Sequence, residues 1–203
     1  MNKKVSFWEF FQGLGKTFML PVSLLAACGI MLGIGSSFAS SVTAEILPFL
    51  KNPILKIFFE FMATIGSFAF SNLPVMFAMA IPLGLARQDK GVAAFSGYVG
   101  FAMSSLSVNF FLKATGTLAT PENMKAAGQS MVLGIQSIDV GVLGGVLIGI
   151  IVYKIHDRYC EIKLPDALAF FGGARFVPIA TAVIVGVISL LIPFIWPFFN
   201  NYP

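Results

Sequence analysis

Charged residues are scarce in this chain. Only 11% of its 203 residues are charged and 57% are hydrophobic, whereas a soluble domain usually carries about a quarter charged residues. The apolar residues also form long runs without a charge, which a core surrounded by water does not need. The composition therefore indicates an integral membrane protein. The net charge of +4 is small, bears on membrane topology, and does not indicate a nucleic-acid partner.

Residues that commonly carry catalytic or metal chemistry are equally rare. The one histidine, His156, lies in a charged stretch, where we interpret it as a solvated loop residue. The two cysteines, Cys28 and Cys160, have no metal-type spacing, and they lie in an apolar run and a charged loop, so no disulfide is expected. The sequence has no glycine-rich phosphate loop, metal-ligand cluster or catalytic triad. We therefore predict no catalytic residue, no metal and no cofactor.

Five charge-poor stretches predict transmembrane helices, since roughly 20 apolar residues cross the hydrocarbon core of a bilayer. The fourth stretch is too short to cross alone, so we expect its helix to begin earlier, near Met131–Ser137, or to lie in a thin or buried site. The predicted fold is an all-α integral membrane protein with about five transmembrane helices. The five stretches are about Phe18–Phe38, Phe61–Ala86, Gly91–Leu112, Val140–Tyr153 and Phe176–Phe199.

The segment between the first two stretches is amphipathic. From Leu47 to Met62, three charged residues interrupt large apolar ones. Two of them, Lys56 and Glu60, are one helical turn apart and can form an ion pair. We predict an interfacial amphipathic helix that lies on the membrane surface.

Lysine and arginine are divided unequally between the two sides of this topology. With a cytoplasmic N-terminus, nine of the 13 fall on the cytoplasmic side. The positive-inside rule therefore favours this orientation. The chain stops just past its last span, which we interpret as a sign that it is part of a larger protein. The four residues on the opposite side are Lys51, Lys56, Lys113 and Lys125.

Two polar residues are candidate substrate-binding residues. Asp139 lies at membrane depth or at its edge, and an ionisable residue in a membrane is by default a functional hypothesis. A helix cap at the start of the fourth span is the alternative, and the position fits it. Asn72 lies beside Pro74, where it either binds a hydroxyl-rich ligand or fills the hydrogen bonds that the proline leaves open.

Seven residues are candidates for a structural or gating role: three glycines of the fourth span, and Gly172, Gly173, Arg175 and Pro178 of the last loop and span. Gly141, Gly145 and Gly149 recur every four residues and so share one face of a helix. Faces made of small residues let the backbone of another helix approach closely. We predict that Gly145, in the middle of this face, lies in a close helix contact.

A compact apolar turn interrupts the last charged loop, in the sequence LPDALAFFGGARFVP from Leu164 to Pro178. Pro165 and Asp166 can open a short helix. Gly172 and Gly173 can end it, because glycine accepts a left-handed cap. Arg175 then precedes the last span, either as a topology anchor or as a ligand for a phosphate or a partner's carboxylate.

Five stretches of the sequence form a specific set when taken together. They are Phe7–Phe11 with Leu14–Pro21, Ile65–Ala86, Lys90–Phe95, Gly134–Asp139 and Leu164–Pro178. With this set the chain resembles the membrane subunit, enzyme IIC, of the bacterial sugar phosphotransferase system. The resemblance covers nearly the whole chain and is greatest to the maltose and glucose type of the glucose superfamily.

The resemblance implies a permease rather than an enzyme. In that family the sugar is bound in the membrane and phosphorylated by a phosphocysteine on a IIB domain. The family's Thr-Glu-Pro-type acidic motif and its sugar-contacting histidine belong to the C-terminal half, and neither occurs here. The resemblance therefore implies that residues 1–203 are the N-terminal scaffold and dimerisation half, located in the bacterial inner membrane.

The partners that the resemblance implies are maltose or glucose, a IIB domain, the lipid bilayer and a second copy of the chain. Two alternatives remain open at this point. One is a structural oligomerisation scaffold without a substrate of its own. The other is a small-molecule channel, which five spans with short loops do not exclude.

Overall fold

The computed structural model describes residues 7–196, and their regular structure is almost entirely helical. The predicted all-α class is confirmed. Three short 3-10 helices, Pro48–Lys51, Asp166–Phe171 and Gly173–Arg175, accompany one small β-hairpin. The elements are α1 (Phe7–Thr17), α2 (Met19–Ala39), α3 (Ser41–Ile46), α4 (Pro53–Ser71), α5 (Leu73–Leu85), α6 (Lys90–Ala114), β1 (Gln129–Val132), β2 (Ile135–Ile138), α7 (Gly141–Tyr159), α8 (Phe176–Ser189) and α9 (Ile192–Ile195).

Four described helical stretches are long and apolar enough to cross a membrane. They are Trp8–Ala39, Pro53–Ser71, Lys90–Ala114 and Gly173–Ile195, and α5 is a shorter apolar helix. The predicted fourth span corresponds to α7, which carries three charged residues in its last two turns. The chain is therefore a membrane protein by the length and composition of its helices.

The predicted bounds of the amphipathic helix, Leu47–Met62, are wrong. The stretch divides into the 3-10 helix Pro48–Lys51 and the first half of α4. Asn52 starts α4, because its Oδ1 accepts the N–H of Ile54 at 2.9 Å and Pro53 occupies the first helical position. The predicted ion pair is present, with Lys56 Nζ 3.8 Å from Glu60 Oε1. Both charges lie in the first half of α4, which is a candidate span by its length and composition.

The predicted second span, Phe61–Ala86, is two helices. α4 ends at Ser71 and α5 begins at Leu73, with Asn72 between them. Proline at position 74 has no N–H to donate and disfavours a helical conformation at the preceding residue. It fits the first turn of a new helix, so the chain ends one helix and starts another instead of bending a single one.

The predicted early start of the fourth helix, near Met131–Ser137, is also wrong. These residues belong to an antiparallel hairpin in which Gln129 pairs with Ile138 and Val132 with Ile135. Its two-residue turn consists of Leu133 and Gly134, with φ of 55° and 74°. Positive φ at both positions gives the turn that joins twisted strands best. α7 starts only at Gly141 and reaches its 19 residues by continuing through the charged end to Tyr159.

The chain divides into two compact units. The small unit is Met19–Leu73, and in it α2 packs against α4. A Cβ built on Gly66 would lie 2.6 Å from the carbonyl oxygen of Cys28 and 2.7 Å from the Cα of Leu32. Gly35 faces the backbone of Phe59 and Ala63 in the same way. The two helices therefore touch backbone to backbone at these two glycines.

The large unit comprises described residues 7–18 and 74–196. Its core lies where α6, α7 and α8 pack on one another. Large side chains fill it, including Phe101 of α6, Val152 of α7 and Val177 of α8. A Cβ on Gly100 would lie 2.8 Å from Val152 Cγ2, so a glycine on α6 lets α7 approach.

Candidate functional site

Asp139 lies at the start of α7 and is exposed. Its Oδ1 accepts the N–H of Gly141 at 3.0 Å, and its own N–H donates to the carbonyl of Gly128 at 2.8 Å. Its carbonyl oxygen accepts the indole N–H of Trp196 at 3.0 Å. The carboxylate thus satisfies the first amide of the helix, as the capping alternative proposes, although Val140 occupies the formal cap position.

A polar network closes the hairpin beside Asp139. Gln129, of which only 5% is exposed, accepts from Gln136 Nε2 at 2.8 Å and donates to the carbonyl of Thr117 at 2.9 Å. Asn109 Nδ2 of α6 donates to the carbonyl of Gln136 at 2.7 Å. Sequence reasoning missed this network, since glutamines in a polar loop give no signal of pairing. Its hydrogen bonds are made within the protein, which indicates a structural role.

Asn72 lies at the end of α4, in the small unit. Its side-chain Nδ2 donates to the carbonyl of Phe68 at 3.0 Å, and its backbone N–H donates to the same oxygen at 3.1 Å. A helix end leaves its last carbonyls without partners, and Asn72 satisfies one of them. Asn72 belongs to the small unit and Asp139 to the large unit.

The three glycines of α7 differ in their surroundings. Gly145 faces the carbonyl group of Pro74, and a Cβ there would collide with it. A Cβ on Gly149 would lie 3.0 Å from Ile81 Cβ and 3.2 Å from the carbonyl oxygen of Phe77. Gly141 has open space around it, and its φ of 53° explains the glycine. The structure thus places Gly145 and Gly149 against α5 and leaves Gly141 out of that contact.

The apolar turn before α8 is a loop whose two ends are joined by a backbone hydrogen bond. Asp166–Phe171 form a 3-10 helix, and Gly172 follows it in an extended conformation. Gly173 has a φ of 65° and donates its N–H to the carbonyl of Ile162 at 2.8 Å. The predicted left-handed glycine is therefore Gly173, and it closes the loop at its base.

Arg175 is exposed and bends back over this loop. Its Nη1 donates to the carbonyl of Phe170 at 3.3 Å, and its Cζ lies 4.9 Å from the centroid of the Phe170 ring. Pro178 lies in the first turn of α8, where a proline is tolerated. Within residues 7–196, the Arg175 guanidinium forms no ion pair with an Asp or Glu carboxylate.

The prediction that His156 is a solvated loop residue is wrong. It lies in the last turn of α7, beyond the charge-free run that ends at Tyr153, and only 2% of it is exposed. Its Nε2 has no hydrogen-bond partner. The imidazole forms a hydrogen bond with the backbone of Asp89. Burial lowers the pKa of His156, opposed by the negative charges of Asp89 and Asp157. We therefore assign His156 a packing role as a neutral imidazole.

Two loops meet at this end of the large unit. Gln88, in the α5–α6 loop, donates to Cys160 Sγ at 3.2 Å and to Glu161 Oε1 at 2.9 Å. Both cysteines are free thiols, with Cys28 buried and Cys160 half-buried. Among the described residues, no group of three or more His, Cys, Asp or Glu side chains could hold a metal ion.

A cavity of about 590 Å³ lies among α7, α8 and α9 in the large unit. Its walls are almost wholly aliphatic, and Ser189 supplies the one hydroxyl among the lining residues. Trp196, also in the wall, already donates its indole N–H to Asp139. A sugar needs several convergent polar groups, and this cavity does not offer them.

The family described as "Phosphotransferase system, EIIC" matches residues 15–202. The maltose-specific EIICB component of the Escherichia coli (strain K12) PTS system is 58% identical over 198 residues, covering 97% of this chain and 37% of the relative. The glucose-specific EIICBA component of Staphylococcus saprophyticus is 37% identical over 188 residues, covering 92% of this chain and 27% of the relative.

The match extends over nearly all of the chain, but the chain spans well under half the length of these curated relatives. The stretches that carried the resemblance all lie within or beside the matched range. The apolar helices agree with a protein of the bacterial membrane. The chain belongs to the EIIC family of the phosphotransferase system.

Proposed function

We propose that this chain is the N-terminal scaffold and dimerisation half of a sugar permease in which uptake is coupled to phosphorylation, with maltose or glucose as the sugar. The observation that carries the proposal is 58% identity to a maltose-specific EIICB component across 97% of the chain. The glucose-specific relative, at 37% identity, supports glucose as the second choice.

The assignment of this half to the scaffold rests on how its polar groups are used. Asp139 caps α7, Asn72 ends α4, and the two glutamines of the hairpin bind each other and nearby backbone. The cavity in the large unit is aliphatic. A sugar site desolvates many hydroxyls and must replace their hydrogen bonds, so we place the sugar contacts in the remainder of the protein.

Phosphoryl transfer is assigned to a separate IIB domain. Both relatives include a B component, one as EIICB and the other as EIICBA. Cys160 contacts Gln88 and belongs to the structural junction of two loops, so it is not proposed as the phosphocysteine. The chain is accordingly a transporter part and not an enzyme by itself.

Membrane orientation belongs to the same proposal, with the N-terminus in the cytoplasm. Single cysteines at Lys90 and Lys125, introduced after Cys28 and Cys160 are replaced, should react with a membrane-impermeant maleimide from opposite sides. Reaction of both from one side would contradict the orientation.

Complementation tests the permease proposal against the scaffold alternative. The 203-residue chain would be expressed together with the rest of the E. coli maltose-specific relative in cells that lack their own maltose permease. Restored maltose uptake is expected, with no uptake from either part alone. A chain that dimerises in detergent but never restores uptake of maltose or glucose would favour the purely structural scaffold.

Calorimetry on the purified chain tests where the sugar binds. We expect self-association, most simply a dimer, and no saturable binding of maltose or glucose at micromolar concentrations. Saturable micromolar binding would show that this half carries a sugar site of its own.

A further inference from the structure

The segment Pro165–Phe171, here called the aromatic loop, is closed at its base by a backbone hydrogen bond. Gly173 donates its N–H to the carbonyl of Ile162 at 2.8 Å, so the two ends of the loop meet. Within the loop, Leu168 donates to the carbonyl of Pro165 at 2.8 Å, which closes the first turn of the 3-10 helix. The loop therefore has a defined shape and a fixed point of attachment.

The aromatic loop buries none of its own side chains. Phe170 is 71% exposed, Leu168 50% and Phe171 45%, and the whole of residues 165–171 is exposed. Helices that cross a bilayer also expose apolar side chains, but this segment is a loop that precedes the candidate span Gly173–Ile195. An ordered loop gains little by holding large apolar groups in water, because burying each would contribute about 1.5–3 kcal/mol.

Basic groups flank the loop. Arg175 donates to the Phe170 carbonyl and lies 4.9 Å from the centre of its ring, so one cation is fixed beside the most exposed aromatic. Lys163 precedes the loop and is exposed. At the same end, Arg158 Cζ lies 5.9 Å from the centroid of Tyr159.

The position of the loop relates it to the membrane. The candidate span that includes α8 begins at Gly173, two residues after Phe171. The rings of Tyr159 and Phe176 are 5.9 Å apart and bring the end of α7 level with the start of α8. The loop therefore extends from the place where two helices of the large unit reach one end.

We propose that the aromatic loop is an interfacial anchor that inserts Leu168, Phe170 and Phe171 among lipid headgroups, with Arg175 and Lys163 on anionic phosphates. Aromatic residues and snorkelling basic side chains are the groups that prefer this layer. A stable protein interface takes about 800 Å² from each partner, more than one six-residue helix offers, so a lipid surface fits better than a protein. The anchor is independent of the sugar that the permease carries.

Spin labelling measures the depth of the loop directly. In a chain with Cys28→Ala and Cys160→Ser, a nitroxide would be attached to Phe170→Cys, in vesicles of phosphatidylcholine with phosphatidylglycerol. Phe170 is 71% exposed, so its replacement removes no buried side chain, although it also removes the ring contacts with Arg175 and Phe171. Two control sites bracket the answer: Lys125→Cys in the polar loop, and Phe110→Cys, which is 67% exposed on the candidate span Lys90–Ala114.

We expect the nitroxide at position 170 to collide more often with oxygen than with a water-soluble nickel chelate. That ratio should correspond to a depth of about 5–10 Å below the headgroup boundary and lie between those of the two controls. A ratio equal to that of position 125 would overturn the proposal, because the loop would then be in water. A site shielded from both reagents only after a purified IIB domain is added would also overturn it, in favour of a protein partner.

The charges provide a second test on the same labelled chain. Arg175→Gln together with Lys163→Gln should make position 170 shallower in vesicles that contain phosphatidylglycerol. The same pair of substitutions should have no effect in pure phosphatidylcholine, which offers no net negative charge. An equal effect in both lipids, or none in either, would refute the role of anionic headgroups, and the thermal midpoint of each variant shows that it is folded.

Discussion

The two units hold their helices together in different ways. In the small unit, α2 and α4 meet through backbone at Gly35 and Gly66, and the buried residues of α4 are Gly66 and Ala69. In the large unit, α6 alone buries nine residues, among them Phe101, Val108 and Leu112. One unit depends on close approach, and the other adds interlocking side chains to it.

The comparison shows where each unit is sensitive. Helix association in lipid has no hydrophobic driving force and depends on van der Waals contact, so close approach at small residues matters most where side chains contribute little. Outward-facing residues of the small unit, such as Ile30 and Phe61, are more than 60% exposed and add nothing to its interior. A single added side chain at the crossing should therefore cost more in the small unit than in the large one.

The largest effect is expected from Gly35→Leu. Its side chain would have to enter the backbone of Phe59 and Ala63, which cannot move aside without separating α2 from α4. We expect a loss of more than about 3 kcal/mol of unfolding free energy in detergent, measured as a lost thermal transition or a low yield of monodisperse protein.

Gly33→Leu is the matched control for that variant. Gly33 lies two residues away on the same helix and has nothing within 4 Å of a Cβ. It should fold like the parent chain. Equal damage from both substitutions would mean that leucine in α2 harms insertion in general and that the crossing is not special.

A smaller effect is expected from Gly145→Ala in the large unit. The new methyl group meets the carbonyl of Pro74, but the side-chain core of α6, α7 and α8 remains intact. We expect a loss of about 2 kcal/mol, seen as a lower thermal midpoint with retained helix content. Gly186→Ala, whose Cβ would lie 3.5 Å from Ser107 Oγ, should be near neutral. A neutral Gly145→Ala would contradict the α5–α7 contact.

The pH dependence of His156 distinguishes the units further, since it concerns the large unit alone. Burial holds the pKa of His156 below its ordinary value, so the unfolded chain takes up a proton first as the pH falls through about 6.5. Its contribution to stability is complete above that pH and is lost below it. His156→Asn should therefore lose less thermal stability than the parent between about pH 7.5 and about pH 5.5, the range in which an ordinary histidine titrates. Parallel pH profiles would refute the buried neutral imidazole.

The smallest effect is expected from the exposed ion pair of the small unit. Lys56 and Glu60 are 3.8 Å apart with more than half of each side chain exposed, and such helical pairs contribute about 0.3–0.5 kcal/mol. Lys56→Ala should change the thermal midpoint by an amount that disappears in high salt. A large loss that persists in salt would show that α4 relies on this pair at its start.

The sequence predicted the class of fold because long apolar runs have few alternatives in a membrane. The predicted helix boundaries were wrong where a cap or a turn of a few residues determines the boundary. Pro53 with Asn52 starts α4 earlier than the charge pattern implied, and Leu133 with Gly134 makes a hairpin where a helix was expected. Turn and cap residues act over a few positions, and hydropathy averages over many.

The helix contact of α7 was predicted in part, for a similar reason. The glycine spacing on α7 pointed to a contact, and the structure places Gly145 and Gly149 there. Neither Gly35 nor Gly66 was singled out from the sequence, yet both glycines lie at the α2–α4 crossing. Which small residue meets a partner depends on the rotation of two helices about their axes, and one sequence does not contain that angle. The prediction for His156 was wrong because its charged neighbours in the sequence indicated exposure, whereas the side chain is buried.

The hairpin and its glutamine network have a practical consequence for attaching reporters. Gln129 and Gln136 fasten the end of the loop to Thr117 and Ala119, and the N–H of Asp139 joins the carbonyl of Gly128. A peptide inserted between these hydrogen-bonded positions would have both of its ends held in place. Exposed, polar loop tips also tolerate insertions best. An epitope inserted after Pro121, in the exposed turn, should therefore leave the packing of the helices unchanged.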